Sequence, residues 1–156
     1  MASKNSEDEA MPPIKSDNLR KEIRSKAFEQ VRAAHQSETA EDYVEMIADL
    51  IEEKGEARVV DLASAFGITH ATVNKTIARL NKEGFVVNEK YRSLFLTDKG
   101  LKLAQACKER HEIVVNFLKS VGVSARTAEL DAEGVEHHIS AETLKAFAAH
   151  LKKKKA

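Results

Sequence analysis

Several things are scarce in this chain, and each scarcity excludes something. One cysteine, Cys107, in 156 residues leaves no disulfide within the chain and no thiolate zinc cluster. It also suits a reducing compartment. Tryptophan is absent and aromatics make up only 5% of residues, so an aliphatic core is expected. Two prolines and six glycines leave few breakers, which favours helices. No apolar run approaches the length needed to span a bilayer, and the first ten residues lack the apolar segment of a secretory signal. The expectation is a cytoplasmic protein with no membrane partner. An excess of charge of one sign is lacking too: 25 Lys and Arg balance 25 Asp and Glu. Spread evenly, that balance would argue against a nucleic-acid binder.

The charge is not evenly spread. Residues 39–54 hold one basic and six acidic side chains, a net of −5. Residues 55–99 hold seven basic and five acidic, a net of +2, and residues 140–156 have a net of +4. An acidic helix thus precedes a mildly basic segment. The length suits one domain or two small intimate ones, and 42% hydrophobic residues suffice for a real core.

Residues 1–16, with Pro12-Pro13, are expected to be a disordered tail, and 17–38 a helical extension. Asp17 can cap a helix to about His35, with Ile23, Ala27, Val31 and Ala34 at helical spacing. Thr39 is expected to begin a second helix, with Asp42 at capping-box distance, Tyr43, Met46, Ile47, Leu50 and Ile51 inward, and Gly55 at its end. Arg58–Phe66 reads as a short helix, Gly67-Ile68-Thr69 as a turn, and His70–Glu83 as a helix with Val73, Ile77 and Leu80 inward. Phe85–Val87 and Leu94–Leu96 read as the arms of a hairpin. From residue 100 the pattern is all-helical. One long helix carries the stripe Leu101, Ala104, Cys107, His111, Val114 and Leu118. A second runs from Ser124 to His138 with Ala128, Ala132 and Val135 inward, and a short third carries Leu144, Phe147 and Leu151. Residues 153–156 read as a basic tail, solubilising or adding nonspecific DNA affinity.

Helix, glycine turn, helix and hairpin over residues 39–99 form a winged helix-turn-helix pattern, so double-stranded DNA is the expected partner. The first helix braces the second, which must leave a face free for the major groove. His70, Ala71, Thr72 and Asn74 suit base edges. Lys75, Arg79 and Lys82 suit phosphate or guanine. Lys90 and Arg92 at the wing suit phosphate or the minor groove. The same pattern also serves protein-interaction modules that bind no metal.

A second constellation carries metal chemistry. Asp42 and Glu45 share a helical face, beside rather than opposite the apolar stripe. His111 lies on the stripe of the long helix. Glu133, Glu136 and His137 stand at i, i+3 and i+4, expected on one helix. Gly134 among them costs roughly 1 kcal/mol relative to alanine, which hints at a close approach. Oxygen and imidazole donors without thiolate suit Mn²⁺ or Fe²⁺ better than Zn²⁺ or copper. A dinuclear carboxylate enzyme would need Glu-x-x-His motifs on two helices, which the chain does not supply. A helical metalloprotease motif fails at Val115, where its second histidine should be. No small-molecule substrate is expected. Cys107 reads as a packing residue, and His138 as a supporting or surface histidine.

Asp42-Tyr43-Val44-Glu45, the 58–97 winged helix, Arg110-His111-Glu112 and the run Asp131–His138 together resemble the diphtheria-toxin-repressor family. The resemblance spans about residues 35–150. It implies a mostly α protein, a winged-helix DNA-binding domain followed by a helical metal-binding and dimerisation domain (residues 100–152). It implies a homodimeric, metal-responsive repressor with Asp42, Glu45, His111, Glu133, Glu136 and His137 as ligands of a binuclear centre. Iron-responsive members carry Met in place of the Asp and Cys in place of the second Glu. Asp42 and Glu136 stand at those positions here, which implies Mn²⁺ as corepressor, with Fe²⁺ or another divalent ion as the alternative. The chain has no room for the SH3-like third domain of longer members, and its extension at 17–36 is absent from shorter ones.

Overall fold

A computed structural model describes residues 17–88 and 93–155. The expected tail 1–16, Ala156 and the wing residues Lys90 and Arg92 lie outside the described residues. Helix α1 (Asp17–Lys54) is one continuous rod of 38 residues. This corrects the expectation of two helices meeting near Thr39. No glycine or proline interrupts the junction, and Ser37 folds its hydroxyl back onto the Ala34 carbonyl at 3.1 Å instead of ending the helix. Gly55, in the left-handed region, follows its last turn.

A short strand β1 (Ala57–Arg58), unforeseen in the sequence, leads into α2 (Val59–Phe66). Gly67, at φ 65°, closes α2 in the left-handed conformation, which glycine adopts at no steric cost. Thr69 then caps α3 (His70–Lys82) by accepting from the Thr72 backbone N–H at 3.2 Å. Strands β2 (Val86–Asn88) and β3 (Ser93–Leu96) follow. The sheet is antiparallel in the order β1-β3-β2, with Ala57 opposite Leu94 and Val86 opposite Leu96. Two residues are too few for an alternating pattern, so β1 left no signal of its own.

Helix α4 (Asp98–Ser120) starts on the Thr97 cap and runs into the second half of the molecule. There α5 (Ala125–Val135) and α6 (Ala141–Lys155) pack against it. Helix α5 ends at Val135, short of the expected His138. Glu136 caps it, and His138 N–H bonds the Val135 carbonyl in a tightened turn. Helix α6 includes Lys152–Lys155, so the expected basic tail is helical through Lys155.

There are two cores. Ala40, Tyr43, Ile47 and Leu50 of α1 join Leu62, Val73, Ile77, Leu80, Val86 and Leu94 in the winged helix. Val114, Val115, Ala128 and Ala132 form the other, closed by Leu118, Leu144 and Phe147. Phe117 and Phe147 stack there with centroids 3.7 Å apart. Leu101 and Val135, expected inward, are exposed within the single chain, as are Ile23 and Val31 of the extension. Their periodicity marks apolar faces that nothing among the described residues covers. Helix α1 lies against both the wing sheet and α4. It therefore belongs to both halves.

Candidate metal centre and nucleic-acid interface

The six expected ligands converge where α1, α4 and the end of α5 meet. His111 of α4 sets Nδ1 2.7 Å from Glu136 Oε2 and 3.9 Å from Glu133 Oε1. His137 sets Nε2 3.1 Å from Asp42 Oδ1 and 3.5 Å from Glu136 Oε1. Each oxygen of Glu136 thus faces a different imidazole. Glu45 completes the group, close enough to Glu136 and Glu133 for their charges to act on it. Asp42, Glu45, Glu133 and Gly134 line a cleft of about 380 Å³ together with Met46, Asp49 and Phe66. The expected helical stacking of Glu133, Glu136 and His137 is corrected by the early end of α5. Glu133 points from the last helical turn, while Glu136 and His137 are delivered by the turn after it. Gly134 is not required by crowding, because a Cβ there would meet nothing within 4 Å.

Sequence reasoning missed three participants. Glu41 is buried and accepts from His137 Nδ1 at 2.6 Å, which fixes that ring with Nε2 towards Asp42. Arg110 pairs with the same Glu41 oxygen at 3.1 Å. Glu129 meets His111 Nε2 at 2.9 Å. The signals were present but indistinct. Glu41 adjoins Asp42 in an acidic helix, Glu129 lies one turn before Glu133, and Arg110 precedes His111.

The electrostatics are those of a cluster short of positive charge. Burial, then the Glu136 and Glu133 charges, push the Glu45 carboxyl up to about 7. Hydrogen bonds to Asp42 and Glu41 hold His137 protonated up to about 10 despite its burial. Burial raises Glu136 above the carboxylate range, only partly offset by His111. Burial pulls His111 down, but hydrogen bonds to Glu129 and Glu136 outweigh it, and the net shift is upward. Burial also works upward on Glu41, and the contacts with His137 and Arg110 reverse it, leaving that carboxyl below its ordinary value.

A divalent cation fits this donor set. Glu136 Oε1 is buried with no hydrogen-bond partner among the described residues, an acceptor in need of a positive charge. The donors are carboxylate and imidazole only. Cys107 is buried nearby on α4, but its thiol is pushed up to about 11, chiefly by burial, and its sulfur accepts from Arg110. It is a packing residue, as expected.

The other expected site lies on α3. Val73, Ile77 and Leu80 are buried, while His70, Ala71, Thr72, Asn74, Lys75, Arg79 and Lys82 are all exposed. Lys75, Arg79 and Lys82 border one groove of about 400 Å³. Arg79 also reaches Glu83 at 3.7 Å. The Thr72 hydroxyl is engaged with Thr69 at 2.9 Å, so its methyl is the freer part for a base contact.

Two family descriptions match the chain in tandem. Residues 35–94 match the N-terminal DNA-binding domain of the iron dependent repressors, and residues 97–156 match their metal-binding and dimerisation domain. The chain belongs to the iron-dependent repressor family. The family consists of transcriptional regulators, not enzymes. The transcriptional regulator MntR of Salmonella typhimurium is 54% identical over 122 residues, 78% of each chain. The HTH-type transcriptional regulator MntR of Bacillus subtilis is 45% identical over 100 residues, 64% of this chain and 70% of its own. A manganese-dependent transcriptional repressor solved in complex with manganese superposes with a TM-score of 0.64 at 27% identity, over 72% of this chain and 52% of its own. IdeR of T. acidophilum shares the fold, with a TM-score of 0.64, 20% identity and coverage of 72% and 53%. The chain thus spans about half the length of these solved structures, and more than two thirds of the curated relatives.

Proposed function

We propose that this protein is a manganese-responsive transcriptional repressor of the cytoplasm, with Mn²⁺ as corepressor and a homodimer as the DNA-binding species. One observation carries the binuclear form of that reading. The two oxygens of Glu136 face two different imidazoles, as a carboxylate shared by two ions would. The oxygen-rich donor set, with Asp42 and Glu136 where sulfur donors would favour softer metals, supports manganese. The manganese-dependent relative supports the same choice.

The candidate ligands would be Asp42 and Glu45 from α1, His111 from α4, and Glu133, Glu136 and His137 from the end of α5. A divalent cation there would supply the positive charge that lets the carboxylates approach one another. The remaining work belongs to the chain. Ala40, Tyr43, Ile47 and Leu50 of α1 are packed in the winged-helix core beneath α3. Moving Asp42 and Glu45 therefore moves that core as a body. Gly100 of α4 sits so close to the Phe85 carbonyl that α4 cannot slide independently of the wing. Drawing the ligands together thus restricts the angle between the two halves. In a dimer, that angle sets the separation of the two α3 helices, which must match half-sites roughly 34–36 Å apart. Metal and operator then favour the same state, and each strengthens binding of the other. Lys75, Arg79, Lys82 and the wing residues Lys90 and Arg92 would anchor phosphate, with His70, Ala71, Thr72 and Asn74 nearest the base edges.

Fluorescence anisotropy with operator DNA tests this reading under Mn²⁺, Fe²⁺, Zn²⁺ and chelator. The expected result is tight binding with Mn²⁺, lost with chelator and in His111→Ala. DNA affinity indifferent to metal would overturn it. Preferential activation by Fe²⁺ would replace manganese by iron.

A further inference from the structure

A second group of donors lies on the N-terminal side of the six-ligand centre and shares none of its residues. His35 Nδ1 is 3.0 Å from Glu38 Oε2, and His138 Nε2 approaches the same oxygen at 3.7 Å. The two imidazoles meet edge to face, with centroids 5.0 Å apart and planes at 75°. One donor atom from each of the three residues lies within 4.8 Å of both others. A tetrahedral ion with bonds near 2.1 Å sets its donors roughly 3.4 Å apart, and these three donors lie close enough together to share one ion. We propose that His35, Glu38 and His138 form a separate binding site for a divalent cation of the Zn²⁺ type.

The chemistry of this site differs from that of the larger centre. Two nitrogens and one carboxylate make a more nitrogen-rich set, which favours Zn²⁺ over Mn²⁺. His35 is exposed and His138 half-buried, so water can complete the coordination. A surface Glu–His pair within α1 would explain His35 and Glu38 alone. It does not explain why His138, from the turn after α5, joins them. The two sites are also linked. Glu38 lies within the same 4.8 Å limit of Asp42 and His137. His35, Glu38, Asp42 and Glu45 follow one another at spacings of three, four and three residues, one continuous face of α1. An ion at the second site would pin the N-terminal extension to the turn that carries His137.

The test is Zn²⁺ titration of the full-length protein by calorimetry, with equilibrium dialysis to count bound ions. His35→Ala and His138→Ala remove side chains that are not part of either core. Each is expected to lose one Zn²⁺ per chain, or to bind it at least tenfold more weakly, with Mn²⁺-dependent DNA binding retained. A chain carrying Glu45→Gln and His111→Ala is expected to keep the second site, and to lose it when His35→Ala is added. Unchanged Zn²⁺ stoichiometry and affinity in both His35→Ala and His138→Ala would overturn the proposal. DNA binding indifferent to Mn²⁺, with the His35-dependent Zn²⁺ still bound, would instead refute the manganese reading and leave this site standing.

Discussion

Metal binding at the six-ligand centre should expel protons, and their number follows from the geometry. His137 is held protonated up to about 10 by Asp42 and Glu41, so at pH 7 it carries essentially one proton. Glu45, pushed up to about 7, carries about half of one at that pH. Burial lowers His111, and its hydrogen bonds to Glu129 and Glu136 outweigh that, so its shift works in the same direction. A ligating imidazole or carboxylate must give up its proton. Binding at pH 7 should therefore release at least about 1.5 protons from His137 and Glu45, and the logarithm of the association constant should rise by at least that amount per pH unit. Displacing the His137 proton alone costs about 4 kcal/mol at pH 7, three pH units at 1.36 kcal/mol each. By pH 9 Glu45 is ionised while His137 is still mostly protonated, so the slope should fall to about one. The assay is calorimetry of Mn²⁺ binding in buffers of different ionisation enthalpy, from pH 6 to 9. Glu45→Gln supplies the control, since it should remove about half a proton at pH 7 and almost none at pH 9. Release of fewer than about 0.5 protons at pH 7, or a slope flat across the range, would refute the proposed protonation pattern and its link to ligation.

Three other outcomes are expected. Glu45→Gln should stabilise the metal-free protein while weakening, not abolishing, Mn²⁺ binding. A carboxyl whose folded value lies above its unfolded one loses stability as pH rises from 4.5 to about 7 and carries the full cost above that. Removing the charge should therefore recover on the order of 1–3 kcal/mol in a denaturant melt at pH 8, and little at pH 4. Gly100→Ala places a Cβ 2.2 Å from the Phe85 carbonyl oxygen and 3.3 Å from Leu96 Cβ. It should cost at least about 1–3 kcal/mol by the same measurement. Lys75→Ala should weaken DNA binding similarly across sequences and lower the slope of log affinity against log salt by roughly one, read by anisotropy from 50 to 300 mM salt.

The helix-turn-helix was legible because Val73, Ile77 and Leu80 recur at helical spacing between a capping Thr69 and a stopping Gly84, all local signals. The candidate metal centre was legible as a grouping of carboxylate and imidazole residues through its donor types and the family resemblance. Its geometry was not, because the turn that delivers Glu136 and His137 depends on α5 ending at Val135, and Gly134 lies within the helix rather than in the left-handed position just past its end that usually marks such a stop. Glu41 escaped notice for a related reason. Its role comes from facing a histidine 96 residues away, a contact no local pattern encodes. The continuity of α1 escaped for the opposite reason. Thr39 is a strong capping residue, and sequence reasoning gave it more weight than the absence of any breaker.

That continuity has a mechanical consequence. A helix rises about 1.5 Å per residue, so Asp17 stands roughly 38 Å from the rung that bears Asp42. With the rod anchored at its ligand end, a tilt of about 5° there swings the far tip by about 3 Å. The extension is thus a pointer that magnifies small adjustments at the carboxylates. Its exposed apolar stripe of Ile23 and Val31 is locked in rotational phase with them. One extra residue inserted after Gln36 would turn that stripe by about 100° while leaving Asp42, Glu45 and the rest of the six-ligand group in place, and would carry His35 away from Glu38 and His138.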